Sequence, residues 1–480
     1  MTPRCLKAGL KEKCGVVGIS SIVKQRVSES IYKALYTLQH RGQEAAGIAV
    51  LEGQEIKLVK GLGLVTDVLT KDVLAELNGG VGIGHVRYST TPGVTIEEAQ
   101  PFAVKNPKFS FSLAFNGTIT NYMEIREELA KLGAVFVTKT DTEVLAKLLA
   151  KNLMECGLDY VEAFKATASD IDGSCSMVLV NDKGELYAYR DPMGFKPLCV
   201  GRVNDLVVVA SETCALDVLA GFNGCEYEPV KPGELVRVSE GSIEKIQIAS
   251  SKRRARCMFE YVYFSRPDSV FDGISIYKAR ENIGRELAKR CPAEGDMVVP
   301  VPDSGRTAAL GYSMQIGLPF VEGLMKNRYV GRTFIMPGQD LRDEMVSLKL
   351  NVVRDIVQGR RIVLVDDSIV RGTTMKRIVR LLRRGGAKEV HVRISCPPII
   401  SACYMGIDFP TRRELIAKIM SLEELTRYVE ADTLEYNTID GLLAGIGLPR
   451  SELCLACLTG EYPLTKSYKL ELLEELLGRG

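Results

Sequence analysis

The sequence predicts an α+β domain followed by an α/β domain, and three observations support this division. The first half, to about residue 245, is rich in glycine and alternates short apolar strands with helical patterns. The second half repeats the order of apolar strand, polar loop and amphipathic helix. Between the halves, residues 250–256 are polar and basic, as expected for a solvated linker. A chain of 480 residues is long enough for two or three domains of about 150 residues each.

In the first half, strands are predicted at residues 81–86 and 111–115, where apolar residues and glycine form short runs. Helices are predicted at residues 31–38 and 142–151, where apolar residues recur at helical spacing. This mixture is typical of an α+β domain built on antiparallel sheet.

The second half begins its strand-and-helix order at residues 297–301, a nearly continuous apolar strand. A tight loop, residues 302–306, leads into a helix predicted from about Thr307, and the next strand is predicted to begin at Pro319. The order recurs with a strand at residues 362–365 and another at residues 390–394. The helix between these two strands has its apolar face at Met375, Ile378, Val379 and Leu382 and ends at Gly385 and Gly386. Parallel strands joined by helices predict an open sheet that binds ligands at the carboxyl ends of its strands.

Composition excludes several classes of protein. Hydrophobic residues make up 46% and charged residues 25% of the chain, and the net charge is +2, so nothing indicates a nucleic-acid or membrane-surface partner. Apolar runs are shorter than the roughly 18 residues of a membrane helix, and residues 1–13 lack the apolar core of a secretory signal. The thirteen cysteines are therefore expected to be thiols, ligands or catalysts in a reducing cytoplasm, and three histidines are too few for a His-rich metal site.

Cys14 follows a short basic leader and opens the apolar run Cys14-Gly-Val-Val-Gly-Ile. If the leader is removed, Cys14 carries a thiol and a free α-amine whose reference pKa values are close, about 8.5 and about 7.7–8.0. The residue is then a nucleophile with its own base. The same local pattern is typical of a buried structural cysteine in a strand, and that alternative stays open here.

Two strand-end loops of the second half carry groups that suit phosphate and sugar. Asp366 and Asp367 end a strand and precede a Ser/Gly/Thr loop, whose amides and hydroxyls can hold a phosphate at the helix N-terminus. Adjacent carboxylates can accept sugar hydroxyls or hold Mg²⁺, with Ser304 as a further magnesium ligand. A two-Asp loop by itself is also compatible with a simple helix cap. The candidate residues of the two loops are Asp303, Ser304, Gly305, Arg306, Asp366, Asp367, Ser368, Arg371, Gly372, Thr373 and Thr374.

These loops resemble the fingerprint of the type I phosphoribosyltransferases, which implies phosphoribosylpyrophosphate (PRPP) as a substrate. The stretch that begins Lys326-Asn-Arg-Tyr-Val-Gly-Arg resembles the flexible loop that closes over PRPP in one branch of these enzymes. By that resemblance, Lys326, Arg328 and Arg332 offset the charge of pyrophosphate.

Five motifs of the first half resemble the class II glutamine amidotransferases. They are Cys14-Gly-Val-Val-Gly, His40-Arg-Gly-Gln-Glu, Gly84-His-Val-Arg-Tyr-Ser-Thr, Phe115-Asn-Gly and Thr140-Asp-Thr-Glu. In this order, and joined to the PRPP fingerprint, they resemble the amidophosphoribosyltransferase family in its iron–sulfur, propeptide-bearing branch. The resemblance implies an N-terminal nucleophile domain of four αββα layers. It also implies a propeptide at 1–13, a glutaminase domain at 14–245, a phosphoribosyltransferase domain at 257–440 and a C-terminal segment at 441–480 with iron–sulfur ligands.

The same resemblance implies roles for the glutaminase residues. Cys14 is the nucleophile, Arg87 binds the glutamine α-carboxylate, and Asp141 binds its α-amino group. Asn116 and the Gly117 amide form the oxyanion hole. The chemistry agrees, because an arginine fork suits a carboxylate and an amide with a backbone N–H suits a developing oxyanion. Taken alone, the pair Asn116-Gly117 is also typical of a turn.

Cys454-Leu-Ala-Cys457 is compatible with a redox pair, a zinc site or iron–sulfur ligands. The resemblance favours one 4Fe–4S cluster and adds Cys257 and Cys403 as the other two ligands. Cys396 is a nearby alternative to Cys403 that spacing leaves open.

The resemblance predicts an enzyme that transfers ammonia from glutamine to PRPP, giving 5-phosphoribosylamine, glutamate and pyrophosphate. It further implies the first committed step of de novo purine (IMP) synthesis, feedback by purine nucleotides and a homotetramer. Two rivals are a nucleobase-salvage enzyme with a non-functional first domain and a PRPP-sensing regulator without catalysis. Glutamine-dependent ammonia release distinguishes the first rival. Near-neutral charge, the lack of a DNA-binding module and the intact residues Cys14, Arg87, Asn116 and Asp141 weigh against the second.

Overall fold

The structure is a computed structural model that describes residues 14–88, 95–327, 350–407 and 414–464. The predicted propeptide and the predicted PRPP-loop residues Arg328 and Arg332 lie outside the described residues, as does the end of the C-terminal segment from residue 465. Within the described ranges, no helix is both long enough and apolar enough to cross a membrane.

The first half is built on short strands joined mainly by tight connections. These strands are β1 (Gly15–Ser21), β2 (Ala45–Glu52), β3 (Glu55–Leu62), β4 (Val81–Arg87), β5 (Phe102–Asn106), β6 (Phe109–Ile119), β7 (Gly173–Asn181), β8 (Leu186–Arg190), β9 (Cys199–Val203), β10 (Leu206–Ala210), β11 (Glu226–Pro229), β12 (Glu234–Ser239) and β13 (Ser242–Gln247). They form two antiparallel sheets, in the orders β11-β9-β10-β1-β4-β2-β3 and β13-β12-β8-β7-β6-β5. The inner faces of the two sheets pack on one another through a layer of valine, isoleucine and alanine side chains.

Helices cover the outer faces of both sheets. They are α1 (Ser28–Thr37), α2 (Val65–Val68), α3 (Lys71–Ala75), α4 (Tyr122–Lys131), α5 (Asp141–Glu155), α6 (Tyr160–Asp170) and α7 (Thr213–Ala220). Helices α1, α2, α3 and α7 pack on the first sheet, and α4, α5 and α6 pack on the second. In α1, Ile31, Ala34 and Leu35 are buried at the helical spacing that faces the sheet. The four αββα layers predicted for this domain are confirmed.

The second half alternates strands and helices. Its strands are β14 (Arg256–Cys257), β15 (Val270–Phe271), β16 (Ile274–Ser275), β17 (Met297–Pro300), β18 (Leu324–Lys326), β19 (Leu350–Val352), β20 (Arg361–Asp366), β21 (Glu389–Ile394), β22 (Thr433–Tyr436) and β23 (Leu453–Cys454). Its helices are α8 (Ile276–Arg290), α9 (Arg306–Ile316), α10 (Arg354–Val357), α11 (Thr373–Arg384), α12 (Ile416–Ile419), α13 (Leu422–Val429), α14 (Ile439–Ile446) and α15 (Ala456–Thr459). A π-helical turn, Glu260–Phe264, precedes them.

A parallel sheet of order β17-β20-β21-β22 forms the core of the second half. Along β20, Val363 and Val365 face α8 and α9, whereas Ile362 and Leu364 face α11 and α13. This alternation explains why the strand is apolar at consecutive positions, since both of its faces are covered. The predicted α/β domain is therefore confirmed, with the carboxyl ends of the strands at one edge.

One predicted strand is shorter than the sequence suggests. Phe320 makes only a single bridge to Val298 at the edge of the sheet. The Gly323 N–H then donates to the Val321 carbonyl at 3.0 Å, which turns the chain away from the edge before β18 begins. The apolar run at Pro319 therefore contributes a bridge instead of a full strand.

Candidate active sites

Cys14 lies immediately before β1, in the centre of the first sheet. It is 8% exposed and has a φ of 45°. Because Gly15 pairs with Val86 across β1 and β4, Cys14 is placed next to Arg87 at the end of β4. The predicted nucleophile and the predicted carboxylate-binding arginine are thus adjacent, at the same end of the central strands β1 and β4.

Asn116 and Gly117 lie near the end of β6, in the second sheet. Asn116 is fully buried, and neither its Oδ1 nor its Nδ2 has a hydrogen-bond partner among the described residues. Gly117 has a φ of 154°, and a Cβ there would lie 2.0 Å from the Ser174 carbonyl oxygen. A buried amide without partners is costly, so this arrangement is suited to a ligand that supplies them.

Arg87 and Asp141 are held by neighbouring segments. Arg87 donates from Nη1 to the Glu98 carbonyl at 2.7 Å, and Asp141, the first residue of α5, accepts from the Ile119 N–H at 3.2 Å. Gln100 joins the pieces: it accepts from the Phe115 N–H at 2.8 Å and donates to Thr142 Oγ1 at 3.1 Å. The structure therefore brings the segments of the predicted glutamine site together. Sequence reasoning missed Gln100, because no local pattern marks a side chain that bridges three distant segments.

Sequence reasoning also missed a buried charge network beside Cys14. It consists of two carboxylates and three basic side chains, namely His40, Arg41, Lys196, Glu212 and Glu260. Burial opposes ionisation of Glu260, but the positive charges of Arg41 and Lys196 lower its pKa to about 2. The group is therefore a carboxylate at neutral pH. Only His40 and Arg41 belong to a recognised motif, and nothing in the sequence shows which acids pair with them.

The second candidate site lies at the carboxyl ends of β17 and β20. A cavity of about 210 Å³ opens there beside the N-terminus of α11. Its lining includes most of the predicted PRPP residues. Its polar members are Tyr263, which was not predicted, and Ser304, Asp366, Asp367, Ser368, Arg371, Thr373 and Thr374, which were. The predicted phosphate loop and acidic pair therefore share one cavity.

The acidic pair is strongly perturbed. Burial and the charge of Asp367 raise the pKa of Asp366 well above its usual value, and burial also raises the pKa of Asp367. Hydroxyls of Ser304 and Ser368 donate to Asp367 and partly offset this effect. Two buried carboxylates side by side are stabilised as ions by a cation or by hydroxyl donors, so the pair is suited to Mg²⁺ or to ribose.

The predicted anion-binding cations are paired with acids in this structure. Lys326 donates from Nζ to Asp303 Oδ2 at 2.6 Å. Arg306 pairs with Glu322 at the same rim, and Arg371 pairs with Glu414 at 2.8 Å between Nη2 and Oε2. A polyanionic ligand would compete with these carboxylates for the same three cations.

The four predicted cluster ligands are buried in one apolar core, each 7–8% exposed. Cys257 and Cys454 are directly opposite in the parallel pair of β14 and β23. Burial raises the pKa of the Cys457 thiol, and neighbouring Cys403 and Cys454 raise it further. Thiols gathered in this way are stabilised as thiolates by a metal, so the donor set fits an iron–sulfur cluster.

The spacing of these cysteines and the position of Cys396 also matter for the type of metal site and for its ligands. Within the described ranges, no three His, Cys, Asp or Glu side chains are arranged to hold a single metal ion. A four-iron cluster takes one thiolate on each iron, so its ligands stand further apart than those of one ion. The alternative ligand, Cys396, is also buried near Cys457, but its thiol additionally faces Asp367, which raises its pKa along with burial. The choice of Cys403 over Cys396 stays a prediction.

Two family models match the chain in agreement with this geometry. A glutamine amidotransferase domain matches residues 85–218, and a phosphoribosyl transferase domain matches residues 272–402. The fold and the two sites thus define a class of protein in which a glutamine amidotransferase is joined to a phosphoribosyltransferase.

Comparison with known relatives identifies the family within this class. The chain is 50% identical to the amidophosphoribosyltransferase of Archaeoglobus fulgidus, over 94% of this chain and 98% of the relative. It is 43% identical to that of Bacillus subtilis, over 95% of each chain. The solved structure of the B. subtilis glutamine PRPP amidotransferase, complexed with ADP and GMP, matches with a TM-score of 0.87 at 42% identity, covering 95% of this chain and 98% of that chain. The chain belongs to the amidophosphoribosyltransferase family.

Proposed function

We propose that this protein transfers ammonia from glutamine to PRPP, giving 5-phosphoribosylamine, glutamate and pyrophosphate, and that this is the first committed step of purine synthesis. The observation that carries the proposal is the presence of both sites in one chain. Asn116, whose buried amide has no hydrogen-bond partner among the described residues, lies in the domain that holds Cys14, and a strand-end Asp pair lines a cavity in the other domain.

In the first half-reaction, the Cys14 thiol attacks the side-chain amide carbon of glutamine. The new C–S bond gives a tetrahedral oxyanion, which accepts hydrogen bonds from the Asn116 amide and the Gly117 N–H. The C–N bond then breaks, the nitrogen leaves as ammonia with a proton from the nucleophile, and water hydrolyses the thioester to glutamate. Arg87 and Asp141 hold the α-carboxylate and α-amino groups. Removal of residues 1–13 frees the α-amine that acts as the base.

In the second half-reaction, ammonia attacks C1 of PRPP and the bond from C1 to the pyrophosphate oxygen breaks. The pyrophosphate leaves with both electrons, and the new amine loses a proton. Asp366 and Asp367 accept the ribose hydroxyls or hold Mg²⁺ with Ser304, while residues 368–374 hold the 5′-phosphate. Lys326, Arg306 and Arg332 offset the charge of the leaving group. Ammonia in bulk water is mostly protonated and is then not nucleophilic, so it crosses between the sites inside the protein.

We assign one 4Fe–4S cluster to Cys257, Cys403, Cys454 and Cys457. When bound, it supplies a cross-link and no redox step, because the transfer of ammonia requires no electron transfer. These cysteines belong to β14, the segment after β21, and the C-terminal segment, so the cluster favours the fold that brings the three together. A homotetramer in the cytoplasm and inhibition by purine nucleotides complete the proposal, and the last point draws on the ADP and GMP bound to the B. subtilis relative.

The direct test compares two nitrogen donors on anaerobically purified protein. Phosphoribosylamine formation from PRPP is measured with glutamine and, separately, with ammonia, for the wild type and for Cys14→Ala. The variant should lose the glutamine-dependent reaction and keep the ammonia-dependent one. An equal loss of both would contradict the two-site assignment. Mass spectrometry of active protein should find Cys14 at the N-terminus, and active protein that retains residues 1–13 would contradict processing.

The same assay separates the rival functions. A salvage enzyme would consume PRPP with a nucleobase and would release no ammonia from glutamine. A PRPP-sensing regulator would bind PRPP and turn over neither donor.

A further inference from the structure

A residue of the second half reaches into the glutaminase centre. Arg41 is 2% exposed, and its Nε donates to the Cys14 carbonyl oxygen at 3.1 Å. The other end of its guanidinium donates to both oxygens of the Glu260 carboxylate, at 3.0 Å from Nη1 and 2.8 Å from Nη2. Glu260 is fully buried and follows the linker, in the π-helical turn of the second half. Arg41, which contacts Cys14, is therefore oriented by a carboxylate from the second half of the chain.

The surroundings of Glu260 fix its carboxylate. Ser265 Oγ donates to Oε2 at 2.8 Å, and Lys196 Nζ lies 3.4 Å from Oε1. Glu212 completes the network by accepting from Arg41 Nη1 at 2.6 Å. Two buried cations thus face two buried carboxylates. Removal of one member leaves an uncompensated buried charge, so the network has one well-defined arrangement.

The turn that carries Glu260 also touches the other functional parts of the second half. Cys257, a proposed cluster ligand, precedes Glu260 by three residues, and Tyr263, which lines the PRPP cavity, follows it by three. One short segment is therefore continuous with the cluster, the PRPP site and the support of Cys14.

We propose that Glu260 is a positioning residue for the glutaminase reaction. Its carboxylate fixes the guanidinium of Arg41, and Arg41 fixes the backbone of Cys14, so that the thiol meets the glutamine amide at the reactive distance. The proposal rests on the proposed function. Glu260 does not touch glutamine, and Arg87 and Asp141 bind the substrate elsewhere. Its loss therefore lowers kcat and leaves KM for glutamine nearly unchanged, since a misplacement of about 1 Å costs up to about 100-fold in rate.

The test uses the whole mature protein, without residues 1–13, and two separate single substitutions of Glu260. Glu260→Gln turns one acceptor into a donor that opposes Arg41. We expect the glutamine-dependent kcat to fall roughly 10- to 100-fold, with KM for glutamine and the ammonia-dependent rate each within about twofold of wild type. Glu260→Asp keeps the charge on a shorter side chain and should recover part of the lost kcat. Asp268→Asn is the matched control, because this exposed carboxylate of the following loop pairs with the side chain of Arg266, and it should leave both rates unchanged.

Two outcomes would overturn the proposal. One is an unchanged glutamine-dependent kcat in Glu260→Gln. The other is an equal fall of the glutamine- and ammonia-dependent rates in both Glu260 variants, which would mean that Glu260 only maintains the fold. If Glu260→Gln does not fold, Glu260→Asp provides the test. A larger fall in its glutamine-dependent rate than in its ammonia-dependent rate would support the positioning role, and equal or unchanged rates would contradict it. A wild-type protein that forms phosphoribosylamine from neither donor would instead refute the proposed function itself.

Discussion

At the scale of single residues, the backbone around the oxyanion site is tightly constrained. Gly117 pairs with Cys175 across β6 and β7, and the position that a Cβ would occupy faces the Ser174 carbonyl. Ser174 Oγ in turn accepts from the Thr118 N–H at 3.0 Å and donates to the Met405 carbonyl at 2.8 Å. The backbone of the proposed oxyanion site is thus held by contacts from both halves of the chain.

Gly117→Ala should therefore abolish most glutaminase activity. The added Cβ would lie 2.0 Å from the Ser174 carbonyl oxygen, so the ends of β6 and β7 must separate. We expect the glutamine-dependent kcat to fall by about 100-fold or more, as for the loss of an oxyanion donor. Steady-state assays with both nitrogen donors check this, and the ammonia-dependent rate should persist.

Gly133→Ala is the matched control for this substitution. Gly133 also has a positive φ, 90°, but a Cβ there meets no atom of the described part of the chain within 4 Å. It carries the backbone strain without the clash, so its cost is about 1–2 kcal/mol of stability and none of the activity. Equal loss of glutaminase activity in both variants would show that backbone strain, not the contact with Ser174, decides.

At the scale of secondary-structure elements, β4 carries a buried titratable group. His85 is fully buried, and burial together with the positive charge of Arg87 lowers its pKa to about 3. An unfolded histidine has a pKa near 6.5. As the pH falls, the unfolded chain therefore takes up the proton first, and the stability that neutral His85 contributes is lost from about pH 6.5 downwards.

This loss of stability at low pH is large enough to measure. Between pH 7.5 and 5, His85 should account for a loss of about 2 kcal/mol of stability. Thermal unfolding of wild type and His85→Gln at the two pH values checks this, because the neutral glutamine cannot titrate. The midpoint of the wild type should fall further than that of the variant, and parallel falls would contradict the assignment.

The proposed cluster concerns contacts between elements, because its four assigned ligands lie in β14, β23, α15 and the segment after β21. Cys403→Ser should lower the iron content per chain, remove the visible absorbance and expose residues 441–464 to protease. Cys396→Ser should leave all three measurements close to wild type. The reversed pattern would transfer the ligand role to Cys396, and anaerobic protein that contains zinc and no iron would exclude the cluster.

The elements also show what a sequence can predict. Helix α11 and strand β20 follow from local periodicity, and the Asp pair and Cys14 stand out from residue types in a short window. By contrast, the bond from Gln100 to Thr142 and the pair of Arg41 with Glu260 join residues 42 and 219 positions apart. The first pair depends on how distant segments of one domain meet, and the second on how the two halves pack, and local patterns encode neither. The bridge at Phe320 likewise depends on a turn at Gly323.

At the scale of the whole molecule, buried polar contacts join the two halves at several points. Arg190 of β8 forms two hydrogen bonds with the carboxylate of Asp272, at 2.7 and 3.1 Å, beside the contacts of Arg41 with Glu260 and of Ser174 with Met405. The two halves therefore share a boundary that is held by buried polar contacts.

Loss of the second site should separate the two reactions. Asp366→Asn or Asp367→Asn removes a cavity-lining carboxylate that we propose as the contact for ribose or Mg²⁺, so phosphoribosylamine synthesis should be lost with either nitrogen donor. Glutaminase turnover, measured as glutamate release without PRPP, should remain at its basal level, because these residues line a cavity in the other half of the chain. Unchanged PRPP affinity and turnover in both variants would mean that the pair is only structural.

Ammonia released at Cys14 should reach PRPP inside the same molecule, and an isotope experiment tests this directly. Wild-type protein is given glutamine labelled with ¹⁵N in its side-chain amide, together with an excess of unlabelled ammonium, and the product is analysed by mass spectrometry. Internal transfer predicts phosphoribosylamine that carries mostly ¹⁵N, as long as the ammonium concentration stays too low to support the ammonia-dependent reaction at a comparable rate. Product whose label is diluted to the ratio of the mixed bulk pool would contradict the account.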